Sequence, residues 1–258
     1  MTGLLDGKTA LVFGVANRRS IAWGIAQALA GAGATLAFTY QGERIEAGVR
    51  ELAASVNGKL VLPCDVTRDE DLDSVFDAVG KQFGGLDILI HAVAFAARED
   101  LEGRFTDTKR ANFAMALDIS AYSLTAMVKR AEPLMEPRGG GSVLTMTYLG
   151  GERAVPHYNV MGVAKAALDA SVRYLAMELG EKKIRVNAIS AGPIRTLAAR
   201  SISGFTVMEE HYEKRAPLRR NVDASEVGQT ALFLCSDMST GITGEIVHVD
   251  SGYHAIGF

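Results

Sequence analysis

Short apolar, β-rich runs alternate with longer segments of helical period along this chain, and that alternation restricts its fold more than any single motif does. Strands are expected at Thr9 to Phe13, Thr35 to Tyr40, Leu60 to Leu62, Leu86 to His91, Ser142 to Thr147, Arg185 to Ile189 and Glu245 to Val249. Helical stretches fall between them, near 21 to 31, 43 to 55, 69 to 82, 109 to 135, 157 to 179 and 224 to 236, with Gly33, Gly84 and Gly180 as stop signals. Strands separated by helices pair in parallel through crossovers, and a parallel sheet must be covered on both faces. The expected architecture is therefore α/β, a doubly wound parallel sheet of about seven strands with helices on both sides. No repeat, low-complexity tract or linker interrupts it, and Arg138-Gly139-Gly140-Gly141 is a connection between helix and strand, so 1–258 reads as one domain.

Composition agrees and removes whole classes of function. With 258 residues, 48% hydrophobic and 22% charged, the chain is long enough for one substantial core. A net charge of -3 gives no global basic field for nucleic acid or an anionic membrane. Cys64 and Cys235 stand far apart without a metal-ligand spacing, which points to a reduced cytoplasmic protein with inert thiols and no metal site. The opening Met1-Thr2-Gly3-Leu4-Leu5-Asp6-Gly7-Lys8 lacks the build of a signal peptide. No apolar run reaches the roughly eighteen residues of a membrane span, so a soluble protein is expected.

Ligands of open parallel sheets bind beyond the carboxyl ends of the strands, where several loops here carry small or polar residues. Gly14 ends the first strand and lets the backbone approach a pyrophosphate, while Ser20 opens the next helix, whose first free N–H groups attract anions. Gly24 and Ala28 add the small residues that close packing needs. Gln41, after the second strand, bonds hydroxyls without repelling or neutralising a 2'-phosphate, so it does not decide between NAD and NADP; Arg18, Arg19 and Arg44 serve such a phosphate or are solvated charges. Asp65-Val66 offers a carboxylate and an apolar neighbour to an adenine, or caps the helix that begins near Asp69. His91 to Ala97 is a small-residue wall around Phe95, in which His91 reads as structural rather than as a base. Tyr148-Leu149-Gly150-Gly151 and Gly192-Pro193-Ile194-Arg195-Thr196 complete the edge.

Tyr158 and Lys165 are seven residues apart, which at ~100° per residue places them within about 20° on one helix face and ~10.5 Å apart along its axis. A phenol that donates to a developing oxyanion and an ammonium that holds a sugar hydroxyl then share one wall of a cleft, with Met161 between them. Taken with the glycine turn at Gly14, the pair suggests a nicotinamide-dependent oxidoreductase.

The order Gly14-x5-Ser20, Gln41, Asp65-Val66, Tyr148, Tyr158-x6-Lys165 and Gly192-Pro193-Ile194-Arg195-Thr196 resembles the bacterial enoyl-acyl-carrier-protein reductases, the divergent branch of the short-chain dehydrogenase/reductase superfamily, over nearly the whole chain. Ordinary members of that superfamily show Tyr-x3-Lys, and none of the seven tyrosines here has a lysine four residues on. The resemblance implies a Rossmann-type sheet, NADH as cofactor with NADPH left open, an acyl carrier protein bearing the enoyl chain as partner, and a homotetramer. It implies cofactor contacts at Gly14, Ser20, Ile21, Gln41, Asp65, Val66, Val93, Lys165, Ile194, Arg195, Thr196, Leu197 and Ala198, and catalysis by Tyr148 and Tyr158 with Lys165. Substrate contacts are expected at Ala96, Tyr148, Tyr158, Met161 and Phe205. Ala92, Ala94 and Ala97 depart from the Ser, Gly and Pro more usual around Phe95, and Thr147 stands where Ser is common.

The wide spacing has a chemical reason of its own. An enoyl thioester accepts hydride at Cβ, and negative charge appears on the distant thioester oxygen, so Tyr158 serves as an oxyanion donor while Lys165, ~4.5 Å further along the helix than in Tyr-x3-Lys, holds the nicotinamide ribose. Tyr148 positions the acyl group or supports protonation at Cα. The stretch near 195–218 mixes Phe205 and Met208 with charges and reads as short mobile helices, a substrate-binding lid. Arg195, Arg200, Lys214, Arg215, Arg219 and Arg220 on this side are a landing patch for an acidic carrier protein or plain solvated charges. A ketone or alcohol oxidoreductase and a non-catalytic dinucleotide sensor fit the same fold; the first lacks its Tyr-x3-Lys here, and the second has no use for Tyr158 and Lys165.

Overall fold

The computed structural model describes residues 3–196 and 204–257. Its strands are β1 (Thr9–Phe13), β2 (Thr35–Tyr40), β3 (Leu60–Pro63), β4 (Ile88–His91), β5 (Gly141–Thr147), β6 (Ile184–Ala191) and β7 (Ile246–Val249). They form one wholly parallel sheet in the order β3-β2-β1-β4-β5-β6-β7. The chain winds outward from β1 in one direction and from β4 in the other, so the crevice between those strands is the topological switch point where such sheets bind ligands.

Two apolar layers cover the sheet, as a parallel sheet buried on both faces demands. On one face lie α1 (Ile21–Gly31), α2 (Glu43–Ser55) and α9 (Ala224–Cys235), packed over Val12, Leu36, Phe38 and Ile90. On the other lie α3 (Asp69–Phe83), α6 (Ser123–Met135) and α7 (Asn159–Leu179), packed over Leu11, Phe13, Leu89 and Val143. Helices α1 and α9 touch through glycine: a Cβ on Gly24 would fall 2.3 Å from Ala224 O, and one on Gly228 2.5 Å from Gly24 O. A capping box, with Asp223 accepting from Ser225 and Glu226 N–H, starts α9.

The expected elements recur with shifts of one or two residues at their ends, and three differ in kind. The stretch 109 to 135 is three segments: α5 (Arg110–Leu117), a π-helical turn over Asp118–Tyr122, and α6. That wide turn directs Ser120 Oγ to Phe95, accepting from its N–H at 3.0 Å and donating to its carbonyl at 3.2 Å, and so fastens the loop after β4. A five-residue helix, α4 (Arg98–Glu102), follows that loop. Residues 205–215 form one continuous helix, α8 (Phe205–Arg215), rather than several short ones. Gly84 does end α3 in the left-handed conformation, whereas Gly180 stays right-handed and Lys183, at φ 56°, makes the reversal after α7. No described helix is long and apolar enough to cross a membrane, and no described cluster of His, Cys, Asp and Glu has the arrangement to hold a metal ion.

Candidate active site

At the carboxyl end of β1, Gly14 adopts φ 100° and passes so close to the loop after β4 that a Cβ would stand 2.1 Å from Ala92 O. Only glycine brings the two switch-point loops this near. Ser20 caps α1 in position but not by its hydroxyl, which instead accepts from Ala16 and Asn17 N–H at 3.0 and 3.1 Å and closes the turn. The first N–H groups of α1 are thus left to an anion, and Ile21 packs its side chain into the core below.

Gln41 and Asp65 meet across the ends of β2 and β3. Burial raises the Asp65 carboxyl, but the Thr67 N–H and hydroxyl, Gln41 and Arg68 outweigh it and hold the group below the usual carboxylate range. Asp65 binds Thr67 at 3.0 and 2.7 Å and does not cap α3, which starts at Asp69 without a side-chain cap. Val66 and Val93 pack on the core of the α7 face. Arg18 pairs with Glu51 on the surface. Fully buried His91 bonds Thr145 and Ser123 at 2.7 and 2.8 Å, and burial followed by the field of Lys165 lowers it to about 3, so it is a neutral structural imidazole.

The catalytic candidates converge where β5 leads into α7. Tyr158 is the residue immediately before α7 and not within it, and its carbonyl accepts from Met161 N–H at 2.9 Å. It is flanked by two non-glycine residues at positive φ, His157 (62°) and Asn159 (41°). Such backbone is sparsely populated and holds only when the surroundings fix it. Here Asn159 Nδ2 donates to Asp100 O at 2.8 Å and Gly103 O at 2.9 Å, tying the start of α7 to α4. The Tyr158 ring is buried with Leu101, Met161 and Ala164 and meets Tyr148 in a T-shaped contact, centroids 4.9 Å apart. Ala96 and Val155 close this cluster.

Glycines of the turn after β5 make room for it. A Cβ on Gly150 would lie 2.3 Å from Tyr158 Cδ1, and one on Gly162 2.7 Å from Gly150 O. Burial, then Tyr148, then Asp169 push the Tyr158 phenol far above its ordinary range, and burial takes Tyr148 to about 12. Both phenols stay protonated and act as donors. Lys165 is buried two turns along α7, donates to Met146 O at 2.7 Å, and is lowered by burial to about 8, with Asp169 opposing. It remains largely cationic at neutral pH.

Two cavities flank these groups. One, of about 1080 Å³, is lined by Arg19, Pro193, Ile194, Arg195, Phe205 and Asn221. Asn221 Oδ1 is buried there without a hydrogen-bond partner among the described residues. The other, of about 610 Å³, lies under Tyr148, Val155, Val207, Met208, Tyr212 and Tyr253. Phe205 therefore lines the first cavity, away from Tyr148, and Met208 takes the place beside the phenol. Arg195 does not reach freely into its cleft: its Nε binds both carboxylate oxygens of nearly buried Glu209 at 2.8 Å. Thr196 borders the same side, and Leu197, Ala198 and Arg200 lie outside the described residues. Of the other basic residues on this side, Arg220 is paired with Glu226 and Lys214 with Glu210, Arg219 donates to Lys214 O, and all of them, with Arg215, are exposed.

Tyr212 and Tyr253 were absent from the sequence-based set. No short-range pattern connects them to Tyr148: Tyr212 meets its hydroxyl and Tyr253 stacks on Tyr212, both through tertiary packing.

The sequence pattern described as Enoyl-(Acyl carrier protein) reductase matches residues 14–254. The enoyl-acyl-carrier-protein reductase (NADH) of Bacillus cereus is 57% identical over 98% of this chain and 99% of its own length. A Staphylococcus aureus reductase named for NADPH is 52% identical over 98% of each. The crystal structure of the Bacillus cereus reductase with NADP+ and indole naphthyridinone superposes with a TM-score of 0.96 at 56% identity, covering 99% of this chain and 100% of that one.

Proposed function

The chain belongs to the enoyl-(acyl carrier protein) reductase family, and on that premise we propose that Tyr148, Tyr158 and Lys165 are its catalytic set. It is an oxidoreductase of fatty acid biosynthesis that reduces the Cα–Cβ double bond of a trans-2-enoyl thioester with NADH. The observation that carries the assignment of roles is the T-shaped pair of protonated phenols, ring centroids 4.9 Å apart, at the start of the helix that carries buried Lys165.

The residues at the switch point fit a dinucleotide. Gly14 and the free N–H groups of α1 receive a pyrophosphate, Gln41 and Asp65 take ribose hydroxyls and an adenine edge, and the orphaned Asn221 Oδ1 awaits a donor. Ile21, Val66, Val93 and Ile194 supply apolar wall, and Thr196 offers its hydroxyl toward the nicotinamide end. Arg195 contributes by holding α8 through Glu209 rather than by meeting a phosphate.

When bound, the reduced nicotinamide supplies a hydride. Tyr158 donates its phenolic proton in a hydrogen bond to the thioester oxygen, where charge develops in the transition state. Because burial keeps this phenol neutral, it stabilises charge and does not act as a base. Lys165 holds ribose hydroxyls and adds positive potential, with one of its three N–H bonds fixed on Met146 O. Tyr148 orients the acyl group and supports proton delivery at Cα. Met161 and Ala96 line the acyl chain, and α8 with the turn to Leu218 is the lid that excludes water.

The carrier protein docks on Lys214, Arg215 and Arg219. The exposed apolar side chains Tyr122, Tyr174 and Met177 are the surface of a homotetramer, and the compartment is the cytoplasm. The test is turnover of reduced cofactor with a trans-2-enoyl thioester: Tyr158→Phe should lower kcat by roughly 10² to 10³ with little change in cofactor affinity. Near-normal turnover would remove Tyr158 from the mechanism.

A further inference from the structure

Tyr148 is not alone at the mouth of the smaller cavity. Its hydroxyl oxygen lies 3.1 Å from that of Tyr212, on α8, and 3.3 Å from Met208 Sδ, one turn earlier on the same helix. Each phenol has one proton. The sulfur cannot donate, so the two contacts are hydrogen bonds at once only if Tyr148 donates to Met208 Sδ and Tyr212 donates to the Tyr148 oxygen. Tyr212 is itself almost wholly buried and its ring stacks on Tyr253, centroids 3.7 Å apart and 17° from parallel.

Tyr253 is fixed in turn. The turn that carries it closes on Pro217 through Gly252, where a Cβ would fall 2.9 Å from Pro217 Cγ, and Arg153 Nη2 binds His254 O at 2.8 Å. The Tyr212 hydroxyl is thus set by a rigid ring stack and aimed at the Tyr148 oxygen. A thioether is a weak acceptor. The Tyr148 proton gains by leaving Met208 Sδ for a substrate atom, while the bond from Tyr212 keeps the oxygen in place.

We propose that Tyr212 is a positioning residue for Tyr148: it donates to the Tyr148 oxygen, fixes the ring, and polarises the Tyr148 O–H as a donor to substrate. A hydroxyl that accepts a hydrogen bond donates a stronger one. The bond also acts to lower the Tyr148 phenol, against the larger effect of burial. The inference rests on the role given to Tyr148 above.

The experiment is a double-mutant cycle on the full chain, with Tyr212→Phe, Tyr148→Phe and the pair, each measured for kcat, KM for an enoyl thioester, NADH affinity and thermal midpoint. Tyr212→Phe keeps the stack on Tyr253 and removes only the hydroxyl. It should lower kcat about three- to tenfold, the worth of one neutral hydrogen bond, with NADH affinity unchanged and the midpoint lowered by no more than about 4 °C. In the Tyr148→Phe background the same change should do nothing further. A purely structural role would persist in that background, and that result overturns the proposal, as does a wild-type kcat for Tyr212→Phe. If Tyr148→Phe itself turns over normally, the role of Tyr148 is wrong and the inference falls with it, a result distinct from the others.

Discussion

Gly150→Ala should disable the enzyme without touching a reacting group. The residue lies in the 3-10 turn Leu149–Gly151 between β5 and α7, and its φ is not in the left-handed region, so alanine meets no backbone objection. The methyl group would instead be placed 2.3 Å from Tyr158 Cδ1 and 2.7 Å from Cε1, where ordinary contacts begin near 3.4 Å. The ring must retreat by about 1 Å, and Leu101, Met161 and Ala164 occupy the space behind it. Overpacking of this kind costs about 1–3 kcal/mol of stability. A misplacement of ~1 Å at a reacting group costs ~10² in rate, equivalent to ~2.7 kcal/mol of transition-state stabilisation. The assay is kcat with a trans-2-enoyl thioester alongside NADH affinity and thermal midpoint. Turnover should fall ~10²-fold with NADH affinity held within about twofold, and should fall little further when Gly150→Ala is added to Tyr158→Phe. A kcat within about threefold of the parent in the single variant would show that the ring of Tyr158 need not be where the structure places it.

Other outcomes follow from the same groups. Lys165 titrates near 8 when folded against 10.5 for an ordinary lysine, so the unfolded chain binds more protons between those values and this group makes stability rise with pH across that window. NADH affinity should fall over the same rise as the ammonium neutralises, and Lys165→Met should bind weakly with no such limb; a limb that survives in Lys165→Met would assign it elsewhere. NADH should be preferred to NADPH, because Gln41 carries no charge and Arg18 is engaged by Glu51, leaving a 2'-phosphate to lose ~1–3 kcal/mol per unmet contact; equal kcat/KM for the two cofactors would mean that Arg19 or Arg44 reaches the phosphate. Hydrogen exchange across α8 and on to Leu218 should slow most when cofactor and an acyl ligand are both present, cofactor alone ordering only the part nearest Thr196, and equal protection with and without ligands would make the segment static structure.

Most of the sheet was legible because its signal is local. Thr9–Phe13 is buried at every position, so a continuous apolar run between turn residues suffices to mark it. Amphipathic α3, stopped by Gly84, and α9, opened by its capping box, are equally plain. The five residues of α4 are too few to show a period, and the π turn at Asp118–Tyr122 leaves no mark in composition, since it arises from how the loop after β4 is fastened. Asn187, on β6, is structural: its Nδ2 donates to Ile242 O at 3.0 Å and its Oδ1 accepts from Glu245 N–H at 3.1 Å, pinning the approach to β7 against β6. Tyr158 and Lys165 were found by spacing, although Tyr158 lies one residue before the helix whose period located it. Tyr212 could not be found in this way, because a polar helix and a distant turn bring it to Tyr148 only after folding.

The central claim is hydride delivery to Cβ with protonation at Cα, under two phenols that remain donors. The most direct measurement uses NADH deuterated at the nicotinamide C4 with a trans-2-enoyl thioester, followed by mass spectrometry and NMR of the product, in water and in deuterated water. The account predicts cofactor-derived deuterium at Cβ only, solvent-derived deuterium at Cα only, and turnover largely lost in Tyr158→Phe. Cofactor label on the carbonyl carbon, or oxidation of NADH by a keto substrate in preference to the enoyl thioester, would contradict it.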